Sequence, residues 1–325
     1  MLAITEEANE YRKNFHDYYY KNIKPILNGF EAQRKVKYTQ QKVLVVVSLV
    51  LIISAMLFLI VCGINNVDAN TGYGRLMGLT CFFISILGAG GIFLSYNLGK
   101  KFEKQVKDKI MPVFLKFFGG FDWAMTDDSL REDIRNSNLV GHFNTIKSDD
   151  YFQGLYKDLK IKISNCIIRK NGKTPIQLFW GVFVKVTFNK KINSRVIVTG
   201  SALSKGITSE VRGSLNMQRV ELEDPEFDRM FNVYSQDQVE ARYLLTTAFM
   251  ERFKNLKKVY KSESISASFV DDSLYMALNC DKDMFHIADL RKPITDTGEI
   301  QQLFEEFLAV ISLVDLLKLD SKTGL

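Results

Sequence analysis

The chain has few of the residues from which metal sites and disulfide frameworks are built. Its 325 residues include four cysteines, three histidines and five prolines. The histidines lie in different segments without a metal-ligand spacing, so we predict no metal site. Cys166 and Cys280 are isolated in sequence, and the other two cysteines lie inside apolar runs, so no disulfide framework or paired zinc motif is predicted.

Motifs of common enzyme classes are also missing. The sequence contains no Gly-rich phosphate loop, no Gly-x-Ser-x-Gly elbow and no His-Glu-x-x-His helix. Its acidic pairs, such as Asp271 with Asp272, lack the spacing of a calcium loop and suit turns and helix caps. We therefore predict no catalytic residue and no cofactor. Many enzymes have no local motif, so an enzymatic function stays open as an alternative.

Two long runs contain no charged residue, which is rare outside membranes. Residues 43–64 and 76–98 are each long enough to cross a bilayer core that needs about 20 helical residues. Only eleven residues separate them, which predicts a transmembrane hairpin. A pair of buried helices in a soluble protein is the alternative. Because 42 residues precede the first run, we expect a retained anchor and no cleaved signal peptide.

The distribution of charge predicts orientation and lipid contacts. The flanking segments 1–42 and 100–118 carry net charges of +3 and +4, whereas the loop between the runs has one basic residue, Arg75. By the positive-inside rule, both termini should lie in the cytoplasm. Anionic lipid head groups should attract the lysines that follow the second run. These are Lys100, Lys101, Lys104, Lys107 and Lys109.

The large remaining segment has no basic excess. Residues 119–325 sum to −1, so we predict no nucleic acid partner. The chain thus divides into a cytoplasmic N-terminal helical segment (1–42), the hairpin (43–98), a basic juxtamembrane helix (99–118) and a cytoplasmic domain (119–325). In the first segment we predict a helix over residues 5–24 that Pro25 ends or kinks.

Small residues recur every four positions along the second run, a spacing that lets helices approach closely. They fit either homo-oligomerisation through the second span or packing on the first span of the same hairpin. The residues are Gly74, Gly78, Gly91, Ser95 and Gly99.

The cytoplasmic segment has the pattern of an α+β domain. Alternating apolar residues predict strands over 159–170, 176–189, 194–199, 218–222, 231–234, 265–270 and 274–280. The 176–189 strand should be half buried. Apolar stripes predict helices over 238–260 and 297–319. An antiparallel sheet packed by two helices is the expected architecture.

Three residues near the start of the predicted 238–260 helix could form a recognition site for a partner. Glu240, Arg242 and Tyr243 are polar or amphipathic, and Asp237 with Glu240 resembles a capping box. The alternative is structural, since such residues often hold a helix onto its sheet through an ion pair or a packed ring.

Four segments of this domain resemble a known family, the bacterial membrane proteins that contain domain of unknown function 3137. They are residues 220–227 (Val-Glu-Leu-Glu-Asp-Pro-Glu-Phe), 231–235 (Phe-Asn-Val-Tyr-Ser), 237–245 (Asp-Gln-Val-Glu-Ala-Arg-Tyr-Leu-Leu) and 265–278, which begins Ile-Ser-Ala-Ser-Phe-Val-Asp-Asp. The resemblance implies a bacterial inner membrane protein with two spans ahead of the domain. It implies no activity and no catalytic positions.

Three functions follow as hypotheses. The first is a non-enzymatic interaction module or scaffold, held at the membrane to bind a protein or lipid partner. The second is a membrane-bound enzyme that acts on lipid or envelope precursors. The third is a subunit of an oligomeric membrane assembly.

Overall fold

The computed structural model describes residues 2–65, 71–189, 191–200, 216–295 and 298–321, with side chains between residues 9 and 314. It divides into two units. Unit 1 comprises Met1–Tyr18, Met111–His286 and Ile300–Leu325. Unit 2 comprises Tyr19–Ile110 and Ile287–Glu299. The chain is α+β, as the sequence predicted, with long apolar helices near the N-terminus and a nine-stranded antiparallel sheet.

The predicted N-terminal helix is longer than its sequence pattern indicated, and the chain stays helical through Pro25. Helix α1 (Leu2–Tyr18) leads into a π-helical turn (Tyr19–Ile23), and helix α2 (Lys24–Ile64) follows directly. Pro25 stands in the first turn of α2, where a missing backbone N–H breaks no helical hydrogen bond. The proline is accommodated by the π turn before it and does not end the helical run.

The second apolar run and the basic juxtamembrane segment form one helix. Helix α3 (Gly72–Phe118) includes both, so the predicted boundary at residue 99 is not a break in structure. Two helices, Asn9–Ile64 and Gly72–Phe118, are long and apolar enough to cross a membrane by length and composition. In the most apolar window of each, only 11% of the residues are buried.

The sheet of unit 1 has the strand order β1-β2-β3-β4-β9-β8-β5-β7-β6, and its neighbours pair antiparallel. The sequence predicted seven of these strands, and β3 lies where it was expected. No strand was predicted over β1 or β2. The strands are β1 (Gly120–Ala124), β2 (Thr145–Tyr156), β3 (Leu159–Lys170), β4 (Ile176–Thr187), β5 (Val196–Gly200), β6 (Gln218–Val220), β7 (Phe231–Ser235), β8 (Ser264–Val270) and β9 (Ser273–Asn279).

The predicted long helix at 238–260 is wrong, because it consists of two helices. Helix α6 (Gln238–Leu244) ends before Leu245, and helix α7 (Thr247–Val259) begins after it. The Thr246 hydroxyl accepts a hydrogen bond from the Phe249 N–H at 3.2 Å, so this residue caps a new helix. Helices α4 (Leu130–Ser137) and α5 (Pro225–Met230) were not predicted, and α8 (Gly298–Ser321) was.

Helices cover both faces of the sheet, which corrects the prediction of a half-buried strand. On one face, α7 and α8 contact the sheet through Phe249 against Phe269 and Phe307 against Phe152. On the other face, α4 belongs to a core cluster that includes Phe183. Strand β4 is therefore buried on both sides over much of its length, with Val182, Phe183, Val184 and Val186 all inaccessible.

Candidate functional site

Polar side chains form a transverse row across the sheet on the face that α4 covers. Lys162 of β3 stands opposite Lys185 of β4, and Lys185 stands opposite Tyr275 of β9. Tyr275 in turn stands opposite Ser268 of β8. Because directly opposed residues share a face, these four side chains lie side by side over four neighbouring strands. We call this set the polar row.

Helix α4 contacts the polar row through one buried carboxylate. Lys185 Nζ donates to Asp133 Oδ1 at 2.7 Å, and Lys162 Nζ donates to Asp133 Oδ2 at 3.3 Å. Lys162 also donates to the Ser129 hydroxyl, which lies just before the helix. Asp133 stands in the first turn of α4, where the helix dipole favours a negative charge. One carboxylate thus holds two lysines and fixes α4 to the sheet.

The groups around the row keep their protons at neutral pH. Burial lowers the pKa of Lys185, but the Asp133 hydrogen bond and charge outweigh this, so the pKa is raised. Burial, with the charges of Asp127 and Asp133, raises the pKa of the Tyr151 phenol. Burial also raises the pKa of the Cys166 thiol. An ammonium, a phenol and a thiol in these states are poor nucleophiles.

Three hydroxyl groups, one in the row and two beside it, are buried without hydrogen-bond partners among the described residues. They belong to Ser266 and Ser268 of β8 and to Thr199 of β5, which stands opposite Ser266. A buried hydroxyl without a partner costs about 1–3 kcal/mol. A ligand or water molecule with hydrogen-bonding groups would be stabilised at this part of the face.

The predicted recognition residues divide into one structural and two exposed ones. The Glu240 carboxylate accepts hydrogen bonds from the backbone N–H groups of Asn193 at 2.9 Å and Ser194 at 2.7 Å, so it fixes the loop before β5. Arg242 and Tyr243 are exposed on α6, and Val239 on the same helix is 77% exposed. We call Val239, Arg242 and Tyr243 the α6 surface.

The juxtamembrane lysines of unit 2 also divide. Lys100, Lys101, Lys104 and Lys109 are exposed along α3. Lys107 is buried, and its ammonium lies 3.3 Å from the Glu103 carboxylate one turn earlier. Lys107 was predicted to contact lipid with the other four lysines. Because it is buried and paired with Glu103, it is not among the exposed lysines of α3.

The small residues of the second run face the first run of the same hairpin over part of their length. A Cβ atom at Gly88 would lie 2.6 Å from Ile52 Cγ1, and one at Gly91 would overlap the Ser48 side chain. Ser95 is buried, and its carbonyl accepts a hydrogen bond from Gln41 at 3.2 Å.

The remaining predicted positions are more open. Gln41 also lies 3.6 Å from a Cβ built at Gly99, whereas a Cβ at Gly78 meets nothing within 4 Å. The Gly74 N–H donates to the Thr71 hydroxyl at 3.1 Å.

Sequence patterns missed the polar row and Val239 for different reasons. Asp133 lies in an eight-residue helix that is too short to show a clear period, and its partners stand more than 25 residues away in sequence. The predicted apolar stripe over 238–260 includes Val239 and implies that it is buried. In the structure the helix ends at Leu244, and Val239 is exposed. The alternation of Ser264, Ser266 and Ser268 was the available signal for the hydroxyl face.

Comparisons with known proteins give a family without an assigned function. The profile of the family described as "Protein of unknown function (DUF3137)" matches residues 177–319, which confirms the resemblance. No curated protein matches. One solved structure, that of the mycobacterial trehalose monomycolate transport factor A, TtfA, aligns over 64% of this chain and 94% of that chain. At 9% identity and a TM-score of 0.33, this likeness carries no argument. Residues 177–319 of this chain are thus similar to the DUF3137 family of proteins of unknown function.

Proposed function

We propose that this protein is a membrane-anchored, non-enzymatic interaction module. The observation that carries the proposal is the exposure of the apolar runs of α2 and α3. Large side chains such as Phe82 (61% exposed) and Phe93 (65% exposed) have few neighbours of their own chain. Exposed apolar surface of this extent is unfavourable in water and favourable in a bilayer. We therefore place residues 43–64 and 76–98 in the bilayer.

The excess of basic residues beside both spans supports a cytoplasmic position for both termini. The family resemblance suggests that the membrane is a bacterial inner membrane. In that orientation unit 1 lies in the cytoplasm. A cytoplasmic domain on two spans is well placed to recruit a soluble partner to the membrane.

The α6 surface is our candidate for the contact with a protein partner. Arginine and tyrosine are enriched among the residues that dominate protein interfaces. Here both stand beside an exposed valine on one short helix. Asp237 caps this helix through the N–H groups of Val239 and Glu240, and Glu240 fixes the neighbouring loop. The surface is thus held in place before a partner binds, which lowers the entropic cost of association.

The polar row supports a binding function over an enzymatic one. Its lysines are engaged by Asp133, and the nearby phenol and thiol have raised pKa values. An enzyme would need at least one group poised to exchange a proton or attack a substrate near neutral pH.

In-cell cross-linking with mass spectrometry on the tagged full-length chain tests the proposal. Replacing Val239 and Arg242 with serine should abolish cross-links to a partner that the natural chain captures. Ile176→Ser is the matched control, because Ile176 is another exposed aliphatic residue of unit 1, at 57%. Equal capture by all three chains would exclude the α6 surface, and turnover of a metabolite by the full chain would contradict the non-enzymatic function.

A further inference from the structure

A segment that is distant in sequence is clamped against the two long helices of unit 2. Residues 290–294 follow the sheet of unit 1 in sequence, more than 250 residues after their partners on α2. Arg34 Nη1 donates to the Leu290 carbonyl at 2.6 Å. The Ile294 N–H donates to the Glu31 carboxylate at 3.1 Å. Glu31 and Arg34 also bond each other through two hydrogen bonds, at 2.7 and 2.9 Å. Both ends of the segment are therefore fixed by the Glu31–Arg34 ion pair. We call this arrangement the clamp.

Two basic side chains between Leu290 and Ile294 are exposed to solvent. Leu290 and Ile294 are buried, whereas the side chains of Arg291 and Lys292 are 75% and 67% exposed. Asp289 accepts hydrogen bonds from the Arg291 guanidinium at 2.8 to 3.1 Å and fixes its direction. The Lys292 ammonium lies 3.6 Å from the Glu299 carboxylate, so each of the two exposed basic side chains has an acidic neighbour and remains open to solvent.

The segment lies at the end of the apolar runs. A methyl group at Gly99 would lie 4.0 Å from Leu290 Cδ1 and 3.6 Å from Gln41 Nε2. Gly99 directly follows the second apolar run, and Gln41 stands two residues before the first. Leu290 therefore marks the level at which both runs begin or end.

The surroundings of Arg291 have the composition of a membrane interface. Tyr38 interacts electrostatically with Arg291, and the Lys42 ammonium lies 4.4 Å from the centroid of the Tyr38 ring. Tyrosine and basic residues are both enriched where helices leave the bilayer. Over residues 31–42, 99–109 and 287–299 there are eleven basic and six acidic side chains, a net charge of +5. The charge of this end of unit 2 is complementary to an anionic leaflet.

We infer that residues 290–294 form a lipid-contact segment, in which Arg291 and Lys292, beside Tyr38 and Lys42, bind the phosphate head groups of anionic bilayer lipids. The inference rests on the proposed membrane anchoring and extends it, because it assigns lipid binding to a segment from the C-terminal part of the chain. The segment ties the sequence that follows the sheet to the membrane surface. The α3 lysines would add to the same attraction.

Lipid retention by the full-length chain tests the inference. The chain is reconstituted in nanodiscs of mixed phosphatidylcholine and phosphatidylglycerol and extracted in detergent, and the bound lipids are quantified by mass spectrometry. The variant Arg291→Gln with Lys292→Gln removes the two charges. The control, Lys170→Gln with Lys173→Gln, removes two exposed charges from the end of β3 and the turn that follows it in unit 1.

We expect the Arg291/Lys292 variant to retain at least about fivefold less phosphatidylglycerol than the control. A basic residue near an anionic surface contributes about 1 kcal/mol, which is roughly fivefold in binding. Arg34→Lys keeps the charge but not the clamp geometry, and it should lower retention about twofold to threefold.

Each outcome is decisive. Equal retention by the Arg291/Lys292 variant and the control, with both chains in the bilayer, would overturn the inference and leave the anchoring intact. Full retention by Arg34→Lys would overturn the positioning role of the clamp. A chain that does not enter the nanodisc at all would overturn the proposed anchoring and, with it, the inference.

Discussion

Replacing Glu306 with glutamine should remove a pH dependence from the stability of unit 1. Glu306 lies on α8 and is 3% exposed. Its carboxylate accepts a hydrogen bond from Gln302 at 2.9 Å, and its backbone carbonyl accepts another from the Tyr260 hydroxyl at 3.1 Å. Burial raises the pKa of Glu306 from 4.5 to about 7, since the hydrogen bond from Gln302 does not replace the lost water.

The sign and size of the effect follow from the two pKa values. The folded chain holds its proton more tightly than the unfolded chain, so the folded state loses stability as the pH rises from about 4.5 to about 7. The difference of about 2.5 pKa units corresponds to roughly 3.5 kcal/mol, because one unit is worth about 1.4 kcal/mol. Below pH 4.5 the penalty is absent, and above pH 7 it is complete. Glutamine carries no proton to lose and should give a flat profile over this window.

Thermal unfolding of the full-length chain in detergent, followed by tryptophan fluorescence, measures this difference. Both tryptophans, Trp123 and Trp180, lie in unit 1. At pH 8 the Glu306→Gln variant should unfold at a higher temperature than the natural chain, and at pH 4.5 the two should coincide. Glu10→Gln is the control, since Glu10 is exposed. Parallel pH profiles of the natural chain and Glu306→Gln would refute the reasoning.

Three further changes have defined outcomes. Asp133→Ala leaves two lysines without their carboxylate and should destabilise unit 1 by about 3 kcal/mol in the same assay; an unchanged unfolding temperature would show that the ion pairs contribute nothing. Gly88→Ala should lower the stability of the hairpin by roughly 1–3 kcal/mol, because its Cβ would lie 2.6 Å from Ile52 Cγ1, while the Cβ of Gly78→Ala meets nothing within 4 Å and should have no effect. Glu31→Gln should speed hydrogen exchange at the Ile294 amide at neutral pH. The Arg34 hydrogen bond lowers the pKa of Glu31, so in the natural chain this protection should disappear as the pH falls below about 4.5.

The long apolar runs and seven of the nine strands were predictable from sequence because their signals are local. Strand β3 was predicted over the residues it occupies, since alternation over twelve residues is hard to mistake. The helix break at Leu245 was not predictable from periodicity, because the apolar spacing continues across it. Only the Thr246 hydroxyl, which is well suited to capping, could have indicated a new helix start.

The candidate sites depend on contacts between distant segments, and this explains what the sequence did not reveal. The sequence around Lys107 does not indicate that this side chain is buried. Its spacing of four residues from Glu103 indicates only that the two can form an ion pair on a helix. The contacts of Arg34 with Leu290 and of Asp133 with Lys185 join residues that only the fold brings together. Register across four strands likewise creates the polar row from single residues that are unremarkable in their own strands.

Membrane anchoring is the central claim, and alkaline extraction of cell membranes tests it most directly. Membranes that contain the tagged full-length chain are washed with carbonate at high pH and then treated with detergent. The account predicts that the chain stays with the membrane pellet through the wash and is released only by detergent, because α2 and α3 cross the hydrocarbon core. Release by carbonate into the supernatant would contradict it.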